Sequence, residues 1–474
     1  MLFNSIEFLI FFPIVCILYW ILPQKFRNVF LLVASYYFYM NWEPVYALLI
    51  LFSTVSTWFA SLKIAGTDNP RTRKAWLTAC LVANFGILFI FKYLTFITTS
   101  VFALLNATGL RMEVPEFSIL LPVGISFYTF QAVGYIVDVM RGTTKPTHSL
   151  MKYALFVTFF PQLVAGPIER SSNLLPQFDE KHTFNGVNFI EGLKLMMFGY
   201  FMKLCIADNV STYVDAVYNN LDQHNGTSVL LATFFFTFQI LCDFGGYSLI
   251  AIGAAKCMGF RLMQNFRQPY LATSPKNFWR RWHISLSSWF TEYVYIPLGG
   301  NRCSKGRHMF NTMATMLVSG LWHGANWTFV LWGAYHGALL VGGNLMRKAP
   351  DKKRKQSALS KVISIIFTFV LVMIGWVFFR ANSISDAFKA FDKMIDEHGR
   401  LYNGAGMPTI LLSLMLIGIL MLVELYRERK DSLPMQETIY RTSLVRDVLY
   451  TVVLVVTILL CGSFTGGQFI YFQF

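Results

Sequence analysis

Residues 309–346 read MFNTMATMLVSGLWHGANWTFVLWGAYHGALLVGGNLM, and both flanks are basic. Arg302, Lys305 and Arg307 precede the stretch; Arg347, Lys348, Lys352, Lys353, Arg354, Lys355 and Lys361 follow it. Lys and Arg collect in the cytoplasmic loops of membrane proteins. Both ends are therefore expected on the cytoplasmic side, so the apolar stretch must go up and return. Its first arm, Met309 to Leu321, makes about 20 Å of helix at 1.5 Å per residue, short of a bilayer core of about 30 Å. The apex Leu321-Trp322-His323-Gly324-Ala325-Asn326 is then expected inside the membrane thickness. Irregular backbone at that depth is tolerated only when buried in protein or lining a wet cavity. An ionisable histidine there is a functional candidate by default.

The rest of the chain agrees with a membrane location. Of 474 residues, 55% are hydrophobic and 14% charged, against about 25% charged in soluble domains. Apolar runs lie near 6–23, 28–50, 47–64, 76–105, 117–139, 150–167, 187–206, 227–250, 309–346, 361–381, 408–426 and 446–465. They predict an all-α polytopic membrane protein of about 11 transmembrane helices, allowing about 20 residues for each crossing. Re-entrant or interfacial helices are expected between them. Residues 1–474 read as one membrane domain without a soluble one, and the first run as a retained span rather than a signal peptide. The net charge of +15 is spread over short loops isolated by spans, which argues for membrane lipid as the neighbour and against nucleic acid. Seven cysteines without a CxxC pattern give neither a disulfide framework nor a zinc site.

The stretch 260–300 is too polar to span. It carries Arg261, Arg267, Lys276, Arg280 and Arg281 among aromatic residues. It reads as an amphipathic or re-entrant element at the cytoplasmic face, and composition alone favours a helix lying on the membrane surface. Within it, Arg280, Arg281, Trp282 and His283 could hold an anionic phosphate of an acyl donor or anchor lipid headgroups. Asp243, Tyr247 and Ser248, at the end of an aromatic span, could line a cavity or cap a helix end. His323 stands between Trp322, a bulky wall, and Gly324. A neutral imidazole so placed can take a proton from a hydroxyl; it can also be a core histidine bonded across helices. Asn326 at the same apex is a further candidate binding residue. The small neighbours of His336 favour a packing role. No Walker loop, G-x-S-x-G elbow or H-E-x-x-H is present, and no metal site is expected.

Several strings, in order, resemble the membrane-bound O-acyltransferase family. They are Leu121-Pro122-Val123-Gly124-Ile125-Ser126, Phe160-Pro161-Gln162-Leu163-Val164-Ala165-Gly166-Pro167, Asp243-Phe244-Gly245-Gly246-Tyr247-Ser248, Ser274 through His283, Tyr293 through Gly300, and Gly320-Leu321-Trp322-His323-Gly324. At Gly245 the bacterial pattern more often has Ser. The wording is similar to the bacterial branch that O-acetylates exported polysaccharide such as alginate, with a core near 115–345 and further helices over 361–474. The resemblance implies helices around a central funnel in the bacterial cytoplasmic membrane. It implies His323 as the essential catalytic histidine and His283 as the second. It also implies acyl transfer from acetyl-CoA or an acylated carrier as substrate, with no tightly bound cofactor, and an extracytoplasmic transferase as partner protein. Two rival readings are D-alanyl transfer to teichoic acid by the same fold, and a proton-coupled transporter with His323 as relay.

Overall fold

The computed structural model describes the chain except residues 111, 114, 116, 118, 119, 165, 347–356, 405, 430–443, 465–468 and 471–474, and the side chains of 444–446. The basic run from Arg347 to Lys355 thus lies outside the described residues. Every regular element among those described is a helix. Six helices start at a serine, Ser5, Ser149, Ser274, Ser304, Ser357 and Ser383, whose hydroxyl accepts a backbone N–H of the first turn. That bond satisfies a donor the helix itself leaves open.

Five helices among the described residues combine the length and hydropathy needed to cross a bilayer: Pro44–Ala65, Pro70–Ala107, Gly226–Cys257, Ala358–Arg380 and Met407–Arg429. Ile6–Ile21 and Asp447–Cys461 are shorter apolar helices. The protein is a multi-pass membrane protein. Several expected runs have different bounds. The run 28–50 is two elements, because the helix Gln24–Met40 stops before Pro44 opens the next. The run 117–139 becomes helical only at Ile125, behind Gly124 at φ +74°. The run 150–167 breaks at Phe159, ahead of Pro161. The run 187–206 extends from Gly186 to Tyr218 through a π-helical turn, Phe201–Ala207.

Contacts divide the chain into two compact units, Met1–Phe189 with Ala254–Met263, and Ile190–Gly253 with Gln264–Phe474. In the first, the helices Ala47–Ala65, Pro70–Leu88, Ile125–Arg141 and Leu150–Thr158 pack together. Buried polar pairs tie them: Tyr153 Oη lies 2.8 Å from Thr57 Oγ1, and Ser53 Oγ donates to Asn84 Oδ1 at 2.7 Å.

The second unit carries the candidate site. Its centre is the hairpin of Lys305–His323 and Trp327–Leu345. The first arm is longer than its apolar part: it starts at Ser304 and runs 19 residues, about 28 Å. The two arms touch backbone to backbone. A Cβ on Gly320 would stand 2.2 Å from Phe329 O, and one on Gly333 2.5 Å from Met316 O. The same device joins Gly199 to Gly246. At the far end of the chain, the helix Leu444–Cys461 is held by Asn209 Nδ2 donating to Cys461 O at 2.7 Å and Ser463 N donating to Leu204 O at 3.0 Å.

The basic stretch 260–300 is not a surface helix. It is a chain of short pieces, Pro269–Leu271, Pro275–Trp279 and Ile284–Phe290, with Tyr270, Phe278 and Trp282 buried. Aromatic rings interleaved with the cations draw this segment into the protein, and apolar burial of that size outweighs the preference of a few charges for the surface.

Candidate active site

His323 is the last residue of its helix, and the chain leaves it through Gly324 in extended conformation. A Cβ on Gly324 would overlap the Phe329 ring at 2.1 Å, so this turn can pass only without a side chain. The imidazole is buried and walled by Trp332, Trp322 and Phe379, with ring centroids at 4.8, 5.0 and 5.5 Å. Its Nδ1 lies 2.6 Å from Ser319 O, one turn back. A carbonyl only accepts, so Nδ1 carries the proton and Nε2 is the basic nitrogen of the neutral ring.

His283 is brought to 6.4 Å from His323, centroid to centroid. It has φ +41°, a left-handed backbone that a non-glycine residue adopts only when its surroundings impose it. The imposition is visible. Ile284 N donates to Asn265 O and Arg267 N to Arg281 O, both at 2.9 Å. Asn265 Nδ2 donates to Ser248 Oγ at 2.9 Å and Ser285 Oγ to Asn265 Oδ1 at 2.6 Å. The edge of Phe244 meets the His283 ring at 4.5 Å, and Trp322 lies at 5.8 Å.

Two cavities approach His323 without containing it. One, of about 410 Å³, runs from Lys276, Arg280 and His308 to Met316 and Ser319, the residue whose carbonyl holds His323. The other, of about 440 Å³, is lined by Phe329 and Phe379 and by polar groups: Asp215, Asn219, Gln239, Asn326, Arg380 and Asn382. Arg380 donates to Asp215 at 2.7 Å. Both volumes fall in the range of ligand sites. His323 adjoins both linings, through Ser319 O on the basic cavity and the Phe379 ring on the amide-rich one.

The other expected residues take distinct places. Arg280 is exposed on the basic cavity, whereas Arg281 is turned away in a bidentate pair with Glu428 at 2.8 and 3.0 Å. Trp282 and Tyr247 are fully buried, and Trp322 packs edge-on against both histidines. Ser248 serves Asn265. Asn326 caps its helix through Thr328 N at 3.0 Å and faces the amide-rich cavity. Asp243 is part of a buried ion cluster: Lys203 Nζ lies 2.7 Å from it and 2.8 Å from Asp208. Among the described residues, no three His, Cys, Asp or Glu groups are placed to hold a metal ion together.

Sequence reasoning missed Lys203, Asp215, Gln239, Arg380 and Asn382. Lys203 had a signal: a lysine within an apolar run needs a carboxylate, and Asp208 and Asp243 are the acids near span ends. The cavity amides had none, because they come from helices far apart in sequence.

The family model for MBOAT, the membrane-bound O-acyltransferase family, matches residues 144–383. A probable alginate O-acetylase AlgI of Azotobacter vinelandii is 41% identical over 400 residues, covering 83% of this chain and 78% of that protein. A peptidoglycan O-acetyltransferase of Helicobacter pylori is 34% identical over 432 residues, covering 84% and 80%. A teichoic acid D-alanyltransferase of Streptococcus thermophilus is 30% identical over 286 residues, covering 54% and 68%.

Proposed function

This chain belongs to the membrane-bound O-acyltransferase family and is an O-acyltransferase; from that premise we propose that it supplies acetyl groups for O-acetylation of an exported polysaccharide. The donor is a cytoplasmic thioester, acetyl-CoA or an acetylated carrier, whose phosphates meet Lys276 and Arg280 at the mouth of the basic cavity. The acceptor hydroxyl enters from the amide-rich side. His323 Nε2 takes the hydroxyl proton as the oxygen attacks the thioester carbonyl. The carbon–sulfur bond breaks, and the thiolate leaves with the proton that His323 gives up. His283 polarises the carbonyl from across the site. A separate extracytoplasmic transferase is the partner that presents the polymer's hydroxyl on that side, and the setting is the bacterial cytoplasmic membrane.

The observation that carries this reading is that His323, its tautomer set by Ser319 O, touches one lining residue of each of two unlike cavities, Ser319 and Phe379. A base shared by two separate spaces suits a reaction whose substrates come from opposite compartments. The alginate and peptidoglycan O-acetylation relatives match 83% and 84% of this chain, the D-alanyl relative 54%, which supports acetyl over D-alanyl transfer. A proton-coupled transporter would move its solute without forming an ester. The test is ester-linked acetate on the exported polysaccharide of cells carrying wild type or His323→Ala at matched membrane level. Loss of acetate is expected; unchanged acetate sinks the assignment of His323 and with it the mechanism.

A further inference from the structure

The Lys203 cluster has a third partner besides its two aspartates. Asp243 gives Oδ1 to Lys203, and its Oδ2 accepts the backbone N–H of Ile470 at 2.7 Å. The next residue back, Phe469, lies 4.7 Å from the Tyr247 ring and 5.8 Å from Phe244, the same Phe244 whose edge meets His283. Phe469 and Ile470 are buried, and Ile470 lines the amide-rich cavity beside Phe329, Phe379 and Asn326. Among the described residues, the lining of the basic cavity ends at Asn344.

From this arrangement we infer that Ile470, backed by Phe469, forms part of the wall of the acceptor-side cavity, and that Asp243 is a positioning residue whose task is to hold them there. A carboxylate buried at this depth requires compensation on both oxygens. Lys203 answers one and the Ile470 amide the other, so the cluster and the wall stand or fall together. The ring of Phe469 fills the gap between Tyr247 and Phe244 and so backs the edge of His283. The inference rests on the reading of this cavity as the acceptor side.

The experiment uses membrane vesicles from the producing cell, with its other components in place. Labelled acetyl-CoA is the donor and the cell's own polysaccharide, chemically deacetylated, the acceptor. Ile470→Pro removes the N–H together with the cavity-lining side chain; Phe469→Leu keeps the burial but loses the ring; Asp243→Asn weakens the hold. Rates are expressed per folded protein, measured by fluorescence-detected size exclusion. In all three the apparent KM for polysaccharide is expected to rise about tenfold, the size of a modest change in pocket shape, with the KM for acetyl-CoA unchanged. Asp208→Asn, which touches Lys203 but not Ile470, is expected to leave the polysaccharide KM alone. A lower kcat with both KM values intact would reduce the segment to a structural prop and overturn the inference, as would wild-type constants in Ile470→Pro and Phe469→Leu. Wild-type vesicles that transfer no acetyl overturn the acetylation reading itself and this inference with it.

Discussion

His323 and His336 stand on the two arms of one hairpin, and Trp332 touches both rings, at 4.8 and 4.9 Å. Both are buried, yet their surroundings differ in every respect that matters to chemistry. His323 ends a helix, its Nδ1 is engaged by a carbonyl, and a cavity approaches on each side. His336 sits mid-helix, boxed by Phe278, Trp279, Trp332 and Trp376 at 4.9 to 6.5 Å. Among the described residues, neither of its ring nitrogens has a hydrogen-bond partner. Gly375 completes the box, since a Cβ there would stand 2.7 Å from Nε2. Burial alone therefore does not mark a base. A fixed tautomer and neighbours that line two cavities are what set His323 apart as the proposed base.

The contrast is broken most directly by exchanging the two rings for inert ones. His323→Ala is expected to lower acetyl transfer about 10³-fold, within the range of a lost general base. His336→Phe, which keeps the volume, is expected to stay within about twofold because no acid–base step uses it. Both are read as ester acetate per folded protein, and equal losses would erase the distinction. Gly320→Val attacks the geometry that both histidines share. With backbone 2.2 Å from the new Cβ, the arms must part, and the yield of monodisperse protein in size exclusion is expected to fall severalfold.

Smaller effects sharpen the difference between the two cavities. Lys276→Ala with Arg280→Ala is expected to raise the KM for acetyl-CoA about tenfold, the worth of one or two charge-assisted hydrogen bonds, with the polysaccharide KM unmoved. Asn326→Ala is expected to do the reverse and less, about threefold on the polysaccharide KM, in line with one neutral hydrogen bond. Titrating each substrate separately decides both; a shift in the wrong constant would exchange the sides.

Much of this was legible in the residues. The hairpin 309–346 was readable because two basic loops bracket an apolar stretch interrupted once by Trp-His-Gly, whereas the setting of His283 among Trp and Arg fitted a headgroup anchor equally well and its role came from the family resemblance. What composition could not give was the fate of those arginines. Arg281 and Arg280 are neighbours with the same charge, and only the position of Glu428 sends one inward to a carboxylate and leaves the other on a cavity. The surface-helix expectation for 260–300 erred for a related reason: it weighed the cations and not the rings between them. Periodicity likewise gave no warning of the π-helical turn Phe201–Ala207, where the extra residue turns Lys203 toward two acids.

The bond from Ile470 to Asp243 joins residues 227 positions apart, and this has a consequence for how the protein is made. Asp243 is made 227 residues ahead of its second partner, so over that interval Lys203 alone answers for the carboxylate. Among the residues that line the amide-rich cavity, Ile470 is the last to be made. A nascent chain halted between Asn382 and Ile470 would carry both histidines and every other residue that lines the two cavities, and still lack Ile470. Nonsense and frameshift alleles in that interval are accordingly expected to score as complete losses, on a par with His323→Ala.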